Sequence, residues 1–324
     1  MGSIDRRRFI VAGGTFFAAP GVCLAQQARQ RVAILSLGTA LTSTALVRVF
    51  AEGLRELGHV EGRDVEIDVR FAEGSEPALV RLARELSARR PSLFVAPGTV
   101  VVDAVRKAAP GIPVVTLVGD MPGAGLATQL SRPESDITGV SFLSASLDAK
   151  RLEFLAPLLP KGSAVLNLED SSARASSQTA LGDTGRALGL VLHSIEARTV
   201  EEIDAAFGAA RKLHVAGVNV LSSPFLNTHR ARIFKLAAQA RLPAIYQWPE
   251  SAEEGGLLGY GPRLTTIYRQ LAGYASRILR GANAAQLPVE QPTRFELVVN
   301  LKTSRALGIA IPQSVLLRAD RAIE

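Results

Sequence analysis

The sequence predicts an α/β protein with two lobes, each built on a parallel sheet. From residue 31 onward, short β-rich runs alternate with amphipathic helical runs, a pattern typical of parallel strands joined by right-handed crossovers. The alternation stops after Val118 and restarts at Ile137. The chain has 324 residues, enough for two compact units.

The first half reads as strands joined by helices. Arg31–Leu37 is almost continuously apolar, as expected for a strand covered on both faces of its sheet. In 65–71 the apolar residues alternate, which indicates a second strand. Pro77 occupies a favoured first-turn position of a helix. We predict strands over residues 31–37, 65–71, 93–96 and 113–118, and helices over about 43–57, from 77, and over about 99–108.

The second half repeats this pattern. We predict strands over residues 137–142, 164–168, 191–195, 217–221 and 244–246. The predicted helices cover about 147–158, a run that ends at Gly189, 200–212 and 228–240. The second half therefore has the same α/β character as the first.

The C-terminal part departs from the series. A glycine-rich extended run (255–261) precedes a helix (about 265–279), a strand (295–301) and a short helix from Lys302. We interpret this as the chain returning to the first half and then passing back to the second half. It implies three crossovers, near 138–140, 250–256 and 287–293, which form a hinge. The predicted lobes are 28–139 with 256–286, and 140–255 with 287–324.

Residues 1–25 have the layout of an export signal. Arg6, Arg7 and Arg8 precede a short apolar segment (11–19), and Cys23-Leu24-Ala25 offers small residues for cleavage after Ala25. The arginine pair indicates the twin-arginine route, and therefore a periplasmic location. An N-terminal anchor helix is disfavoured because the segment is too short to span a bilayer. A lipoprotein acylated at Cys23 is the other alternative, although Pro20-Gly21-Val22 is a poor lipobox.

Composition narrows the classes of function. The formal net charge is +7, but basic residues are scattered among acidic ones, so no nucleic-acid-binding stripe is expected. Cys23 is the only cysteine, and it lies in the predicted signal. The four histidines show no ligand spacing, so no metal site is predicted. Beyond the N-terminus no apolar run is long enough to span a membrane.

Enzyme motifs are missing from the sequence. The turn after the first strand, Ser36-Leu37-Gly38-Thr39-Ala40, is not a dinucleotide-binding G-x-G-x-x-G. The sequence has no G-x-S-x-G nucleophile elbow and no P-loop. We therefore predict no catalytic residues and no cofactor.

Ligands of open α/β sheets bind outside the carboxyl ends of the strands, and this rule selects loops in both halves. Helix N-termini in these loops favour binding of a ligand carboxylate. The aspartates could accept hydrogen bonds from a ligand amine, and the single tryptophan could stack on a flat or apolar group. Helix capping, turn formation and packing are the competing interpretations of the same residues. The candidate ligand-binding residues are Ser36, Gly38, Thr39, Gly98, Thr99, Asp120, Asp170, Ser171, Ser223, Phe225, Tyr246 and Trp248.

Four long stretches resemble a known family, the ABC transporter substrate-binding proteins of the tryptophan/tyrosine-uptake type. They are residues 53–74 (GLRELGHVEGRDVEIDVRFAEG), 137–160, 242–261 and 287–308, and the C-terminal IPQSVLLRADRAIE matches as well. The resemblance covers essentially the whole chain after the predicted signal. It implies the type 1 periplasmic-binding-protein fold, with Rossmann-like (flavodoxin-like) lobes and a ligand held between them.

The resemblance also implies a function and partners. We expect a periplasmic solute-binding component of an ABC uptake system that captures an amino acid or related carboxylate and delivers it to a permease in the inner membrane. A monomer that does not bind nucleic acid is expected. Two alternatives stay open at this stage: a ligand-sensing module for a receptor, and an enzyme on the same scaffold.

Overall fold

The computed structural model describes residues 29–324, except for the side chains of residues 171–178. One of its two sheets is formed by the first half of the chain. Its strands are β1 (Gln30–Ser36), β2 (Val65–Phe71), β3 (Leu93–Val95), β4 (Val114–Val118) and β5 (Ile137–Ser141). They are all parallel, in the order β2-β1-β3-β4-β5, which is the flavodoxin-like order.

The second sheet has seven strands in the order β12-β11-β10-β9-β8-β6-β7. Only the β10–β11 pair is antiparallel. The two mostly parallel sheets confirm the predicted α/β class. The strands are β6 (Ala164–Glu169), β7 (Val191–Glu196), β8 (Gly217–Val220), β9 (Ala244–Tyr246), β10 (Leu258–Gly261), β11 (Glu296–Asn300) and β12 (Arg321–Ile323).

Helices cover both sheets. Within the described residues, none combines the length and apolar character that crossing a membrane requires. The helices are α1 (Ala40–Glu56), α2 (Glu76–Ala88), α3 (Thr99–Ala108), α4 (Ser144–Leu155), α5 (Ser171–Leu188), α6 (Val200–Lys212), α7 (Pro224–Thr228), α8 (Arg230–Ala240), α9 (Pro249–Glu253), α10 (Leu264–Leu279), α11 (Leu301–Leu307) and α12 (Gln313–Leu316).

Most element boundaries match the sequence prediction within three residues, and the differences have local causes. Helix α1 starts at Ala40 rather than Ser43, because Thr39 and Thr42 cap its first turn reciprocally with hydrogen bonds of 3.0 and 3.1 Å. The predicted helix 228–240 is α8, preceded by the separate short helix α7. The elements α9, α12 and β12 were not predicted, since three to five residues are too few to show a periodicity.

Helix α10 packs on the first sheet although it follows β10 of the second. Its apolar face, including Ile267, Leu271 and Ala275, shares a core cluster with Phe50 and Leu54 of α1. Helices α2 and α3 cover the opposite face of that sheet. The first lobe is therefore completed by a helix that comes from far along the chain.

The chain passes between the lobes three times: after β5, after β10 and before β11. The first and third passages lie side by side, since Ser141 N donates to Glu290 O at 2.9 Å. The predicted limit between residues 255 and 256 precedes β10, whereas β10 pairs with β9 and β11. Sheet pairing thus puts the second passage after Gly261. The exact lobe limits stay a prediction.

Candidate functional site

A cavity of about 440 Å³ lies between the lobes, at the carboxyl ends of the strands. It falls where strand order reverses in the first sheet, between β1 and β3, which is the usual ligand position in such sheets. Its size is that of a small-molecule pocket. It is lined by Ser36, Leu37, Gly38, Thr42, Ser43, Leu46, Pro97, Gly98, Thr99, Val100, Leu117, Val118, Gly119, Asp120, Gly123, Ala124, Phe142, Ser144, Ser222, Ser223, Pro224, Asn227, Thr228, Gln247, Trp248, Leu264 and Tyr268.

Two helix N-termini contribute to the first-lobe wall. The first turn of α1 places Thr42 and Ser43 against the cavity, and the Ser36 hydroxyl lies 3.2 Å from that of Ser43. The first turn of α3 lines the cavity with Thr99 and Val100. No described side chain caps α3, because its N-cap residue is Gly98. The first turn of α3 presents backbone N–H groups and a positive dipole end to an anionic ligand group. At α1 the N–H groups of Thr42 and Ser43 already donate to Thr39, so this helix contributes its dipole end and the hydroxyls of these two residues.

The second-lobe wall is the cavity loop, residues 221–223 between β8 and α7, which is held by several hydrogen bonds. The amide of Gln247 accepts a hydrogen bond from Ser223 N at 3.0 Å and donates one to Ser223 O at 3.1 Å. The Ser223 hydroxyl donates to Asp170 Oδ2 and accepts from Leu226 N at 3.0 Å. Ser223 therefore shapes the wall, with its own polar groups already occupied.

A buried ion pair in α4 also holds the cavity loop in place. Arg151 and Asp148 of α4 are both completely buried and bonded to each other. Arg151 also donates to the Ser222 hydroxyl at 2.9 Å and to Tyr260 O at 3.1 Å. Asp148 accepts from Ser222 N at 3.1 Å. Burial lowers the pKa of Arg151, whereas the Asp148 carboxylate raises it. The pair thus links α4, the cavity loop and β10.

One part of the cavity is aromatic and apolar. The rings of Trp248 and Phe142 lie 5.1 Å apart, and Tyr268 and Leu264 of α10 complete this part. Burial raises the pKa of Tyr268, which keeps its hydroxyl neutral. The segment after β5, the loop after β9 and helix α10 therefore bring aromatic side chains together, a surface suited to a flat or bulky apolar group.

The described residues that line the cavity carry a net negative charge. Asp120 carries the only Asp, Glu, Lys, Arg or His side chain among the described residues that line it. Its Oδ1 accepts from Gly123 N at 3.1 Å, which leaves most of the acceptor capacity of the carboxylate for other donors. Across the described residues, no cluster of histidine, cysteine and acidic side chains is suited to a metal ion. The site therefore fits a ligand with one cationic group.

The lobes touch on one side of the cavity, so the cleft is closed. A Cβ placed on Gly98 would lie 2.7 Å from Cγ of Pro224, and one on Gly74 would lie 2.9 Å from Nε2 of His229. Gly98 and Gly74 belong to the first lobe, Pro224 and His229 to the second. Only residues without a side chain allow this approach.

His229 makes the closed cleft sensitive to pH. Burial lowers the pKa of its imidazole, so the closed form favours the neutral ring, and separation of the lobes should move the pKa back toward the usual value near 6.5. The closed form thus binds fewer protons, and acid favours opening. We expect ligand affinity, measured by calorimetry, to fall severalfold between about pH 7 and about pH 5.

The variant His229→Gln should remove most of this pH dependence. His193→Gln is the matched control, since His193 lies on β7, away from the contact between the lobes. An unchanged pH profile in His229→Gln would contradict the assignment.

The structure brings together seven of the twelve predicted site residues. Ser36, Gly38, Gly98, Thr99, Asp120, Ser223 and Trp248 line the cavity. Of the others, Thr39 caps α1, and Tyr246 packs edge-on against Phe234 in the core. Asp170 and Phe225 line a second, adjoining cavity between the lobes, of about 570 Å³. The side chain of Ser171 lies outside the described residues. Ligand contact itself stays a prediction for all twelve.

Sequence reasoning missed several lining residues. Thr42 and Ser43 lie one turn into α1, and the adjoining capping residue Thr39 was the available signal. Ser222 and Gln247 belong to loops that the rule for strand carboxyl ends selected, but neither residue was named as a candidate. Tyr268 had no signal, because its helix reaches the cavity only through the return of the chain to the first lobe.

The fold and the site define a class of protein. Two α/β lobes joined by three passages close around one small-molecule cavity, as in solute-binding proteins. The chain belongs to the family of ABC transporter substrate binding proteins, whose model matches residues 32–323. It is a component of this transporter class that captures a small solute, which confirms the predicted function at that level.

Individual relatives agree with this family. A tyrosine-binding protein from Clostridioides difficile (strain R20291) is 23% identical over 265 residues, covering 80% of this chain and 75% of the relative. A conserved domain protein from Vibrio cholerae has a solved structure with a TM-score of 0.83 and 25% identity, covering 91% of this chain and 100% of that one. A Streptococcus pneumoniae ABC domain in complex with L-Trp has a TM-score of 0.80 and 22% identity, covering 91% and 100%.

Proposed function

We propose that the protein captures an L-amino acid with a large apolar or aromatic side chain. The observation that carries this proposal is the composition of the cavity. It combines two helix N-termini, one carboxylate and an aromatic part. A zwitterion with an apolar side chain matches all three, whereas a dicarboxylate would meet Asp120 with no basic side chain among the described lining residues.

The geometry supports one orientation of the ligand. Its carboxylate would accept hydrogen bonds from backbone N–H groups in the first turn of α3 and from the hydroxyls of Thr42 and Ser43 in α1. Its ammonium group would bind Asp120, and its side chain would pack against Trp248 and Phe142. Two relatives, one a tyrosine-binding protein and one with a structure solved in complex with L-Trp, support the same ligand class for this chain.

Calorimetry with a set of related ligands tests the proposal. L-Tyrosine, L-tryptophan, L-phenylalanine and L-leucine should bind, and their deaminated and decarboxylated analogues should bind more weakly by about tenfold or more, since each loses one charged contact. Trp248 is the only tryptophan, so its fluorescence reports binding of ligands that lack indole. Tighter binding of a sugar or a dicarboxylate than of any amino acid would overturn the proposal.

Asp120→Asn should reduce the affinity for these amino acids by about tenfold, because a charge-assisted contact to the ammonium is lost. The affinity for the deaminated analogue should stay the same or improve, since a repulsive charge is removed. Asp103→Asn is the control, an exposed carboxylate of α3 outside the cavity lining. A parallel loss for both ligands would assign Asp120 to folding of the loop instead.

The export route, the partner and the absence of catalysis are also proposals. The arginine cluster and small residues of 1–25 support export to the periplasm by the twin-arginine route and cleavage after Ala25. Membership of the ABC transporter substrate binding family supports delivery of the ligand to an inner-membrane permease, and we propose that the protein does so as a monomer. Mass spectrometry of the exported protein should give Gln26 as its first residue. The double variant Arg6→Lys/Arg7→Lys should block export. The bound amino acid should be recovered unchanged, as expected for a binding protein.

A further inference from the structure

Gln247 lies between the cavity wall and Gly261, where the second passage between the lobes begins: a Cβ placed on Gly261 would lie 2.2 Å from Gln247 O. It follows β9 and immediately precedes Trp248, the N-cap of α9. Its side chain lines the cavity and is only 4% exposed. Both of its side-chain hydrogen bonds go to the backbone of Ser223, one accepted at 3.0 Å and one donated at 3.1 Å. This is a two-way pairing between a side-chain amide and a peptide group.

A side chain that is both donor and acceptor, such as a neutral amide, satisfies both partners at once. The N–H of Ser223 requires an acceptor and its C=O requires a donor, and a glutamine amide supplies both. An ionised carboxylate at this position could accept but not donate, and it would face the carbonyl oxygen of Ser223. An apolar side chain would leave the Ser223 N–H without a partner in a closed cavity, which is costly, and would leave the Ser223 C=O with only the bond from Asn227 N at 3.0 Å.

The pairing leads directly to the contact between the lobes. Ser223 is followed by Pro224, whose Cγ abuts Gly98 of the first lobe. The Ser223 hydroxyl is bonded to Asp170, so that side of the residue is held independently. Gln247 is the partner of the Ser223 N–H and shares the Ser223 C=O with Asn227 N, so it helps to fix the position of Pro224.

We propose that Gln247 is a positioning residue that couples the hinge to closure of the cleft. Its amide holds the Ser223–Pro224 wall where Pro224 meets Gly98, so that the cavity can close on the ligand. The inference rests on the proposed function in that an L-amino acid is the ligand whose binding is measured. The specific requirement is for a neutral donor–acceptor at position 247, not for a negative charge or for volume alone.

The test uses Gln247→Glu, with calorimetry of L-tyrosine and L-tryptophan between about pH 5 and about pH 8. A protonated carboxyl reproduces the pairing, and an ionised one does not. We expect the ratio of the variant Kd to the wild-type Kd at the same pH to be close to one in acid. It should rise by about tenfold or more as the pH increases. A ratio that does not change with pH overturns the proposal.

Two further variants complete the design. Gln247→Met keeps the volume and should weaken binding about tenfold with no pH trend in the ratio, which also serves if Gln247→Glu fails to fold. Gln239→Glu, on the exposed surface of α8, should match the wild type at every pH. Wild-type affinity in Gln247→Met would contradict the positioning role.

Hydrogen exchange without any amino acid separates this inference from the proposed function. Both partners belong to the second lobe, so Ser223 N–H should be protected in the free wild type and should exchange at least about tenfold faster in Gln247→Met. If the wild type binds neither amino acid, the proposed function fails, while this measurement still decides the role of Gln247. Equal exchange in both proteins would refute the pairing.

Discussion

Arg151→Met is expected to destabilise the protein by about 3–5 kcal/mol, the usual result of removing one partner of a buried ion pair. The Asp148 carboxylate would lose its cationic partner at a completely buried position. The Ser222 hydroxyl and Tyr260 O would lose hydrogen bonds in the same step. Denaturant unfolding followed by circular dichroism measures the effect.

Two further variants make this result specific. Lys150→Met replaces the neighbouring cation of α4, which is 40% exposed and paired with Glu153, and should cost less than about 1 kcal/mol. The double variant Asp148→Leu/Arg151→Met should recover a substantial part of the lost stability, because no charge stays buried. Equal losses in Arg151→Met and Lys150→Met would show that burial of the pair does not determine its importance.

Gly98→Ala is expected to weaken ligand binding by about 10- to 100-fold. The new Cβ would lie 2.7 Å from Cγ of Pro224, and overpacking of this kind costs about 1–3 kcal/mol, paid only when the lobes meet. Small-angle scattering with saturating L-tyrosine should show a less compact protein than the wild type. Calorimetry gives the loss of affinity.

Backbone strain has to be separated from this steric effect, because Gly98 has a φ of +100°. Gly111 supplies the matched control: it also has a positive φ, of +80°, and a Cβ there would meet nothing within 4 Å. Both alanine variants should lose stability, by about 1–3 kcal/mol each, but only Gly98→Ala should lose affinity. If Gly111→Ala weakens binding as much, the contact with Pro224 is not what closes the cleft.

Much of the fold was predictable because its strands are covered on both faces. Runs such as 31–37 and 113–118 are apolar at most positions, and the intervening helices have clear apolar stripes. Four predicted elements (65–71, 99–108, 200–212 and 244–246) match the structure residue for residue. The short elements α9 and α12 escaped prediction because a single turn has no period to read.

The site was predictable only in part. The rule that ligands bind at the carboxyl ends of parallel strands selected Ser36, Gly98 and Asp120, and all three line the cavity. The same rule selected Tyr246, which packs in the core instead, because the direction of a side chain at a strand end depends on its neighbours. Phe142 and Tyr268 were out of reach, since their positions depend on how the chain crosses between lobes.

By itself, the sequence determined the α/β class, the two-lobed plan and the loops in which the cavity lies. Strand and helix periodicities are local, and parallel sheets with right-handed crossovers leave few ways to combine them. Only the tertiary structure decided which polar groups face the ligand and which face one another. Ser223 and Gln247 pair with each other, whereas Asp120 keeps most of its carboxylate available. Such choices depend on distances between residues far apart in the chain, which no local pattern contains.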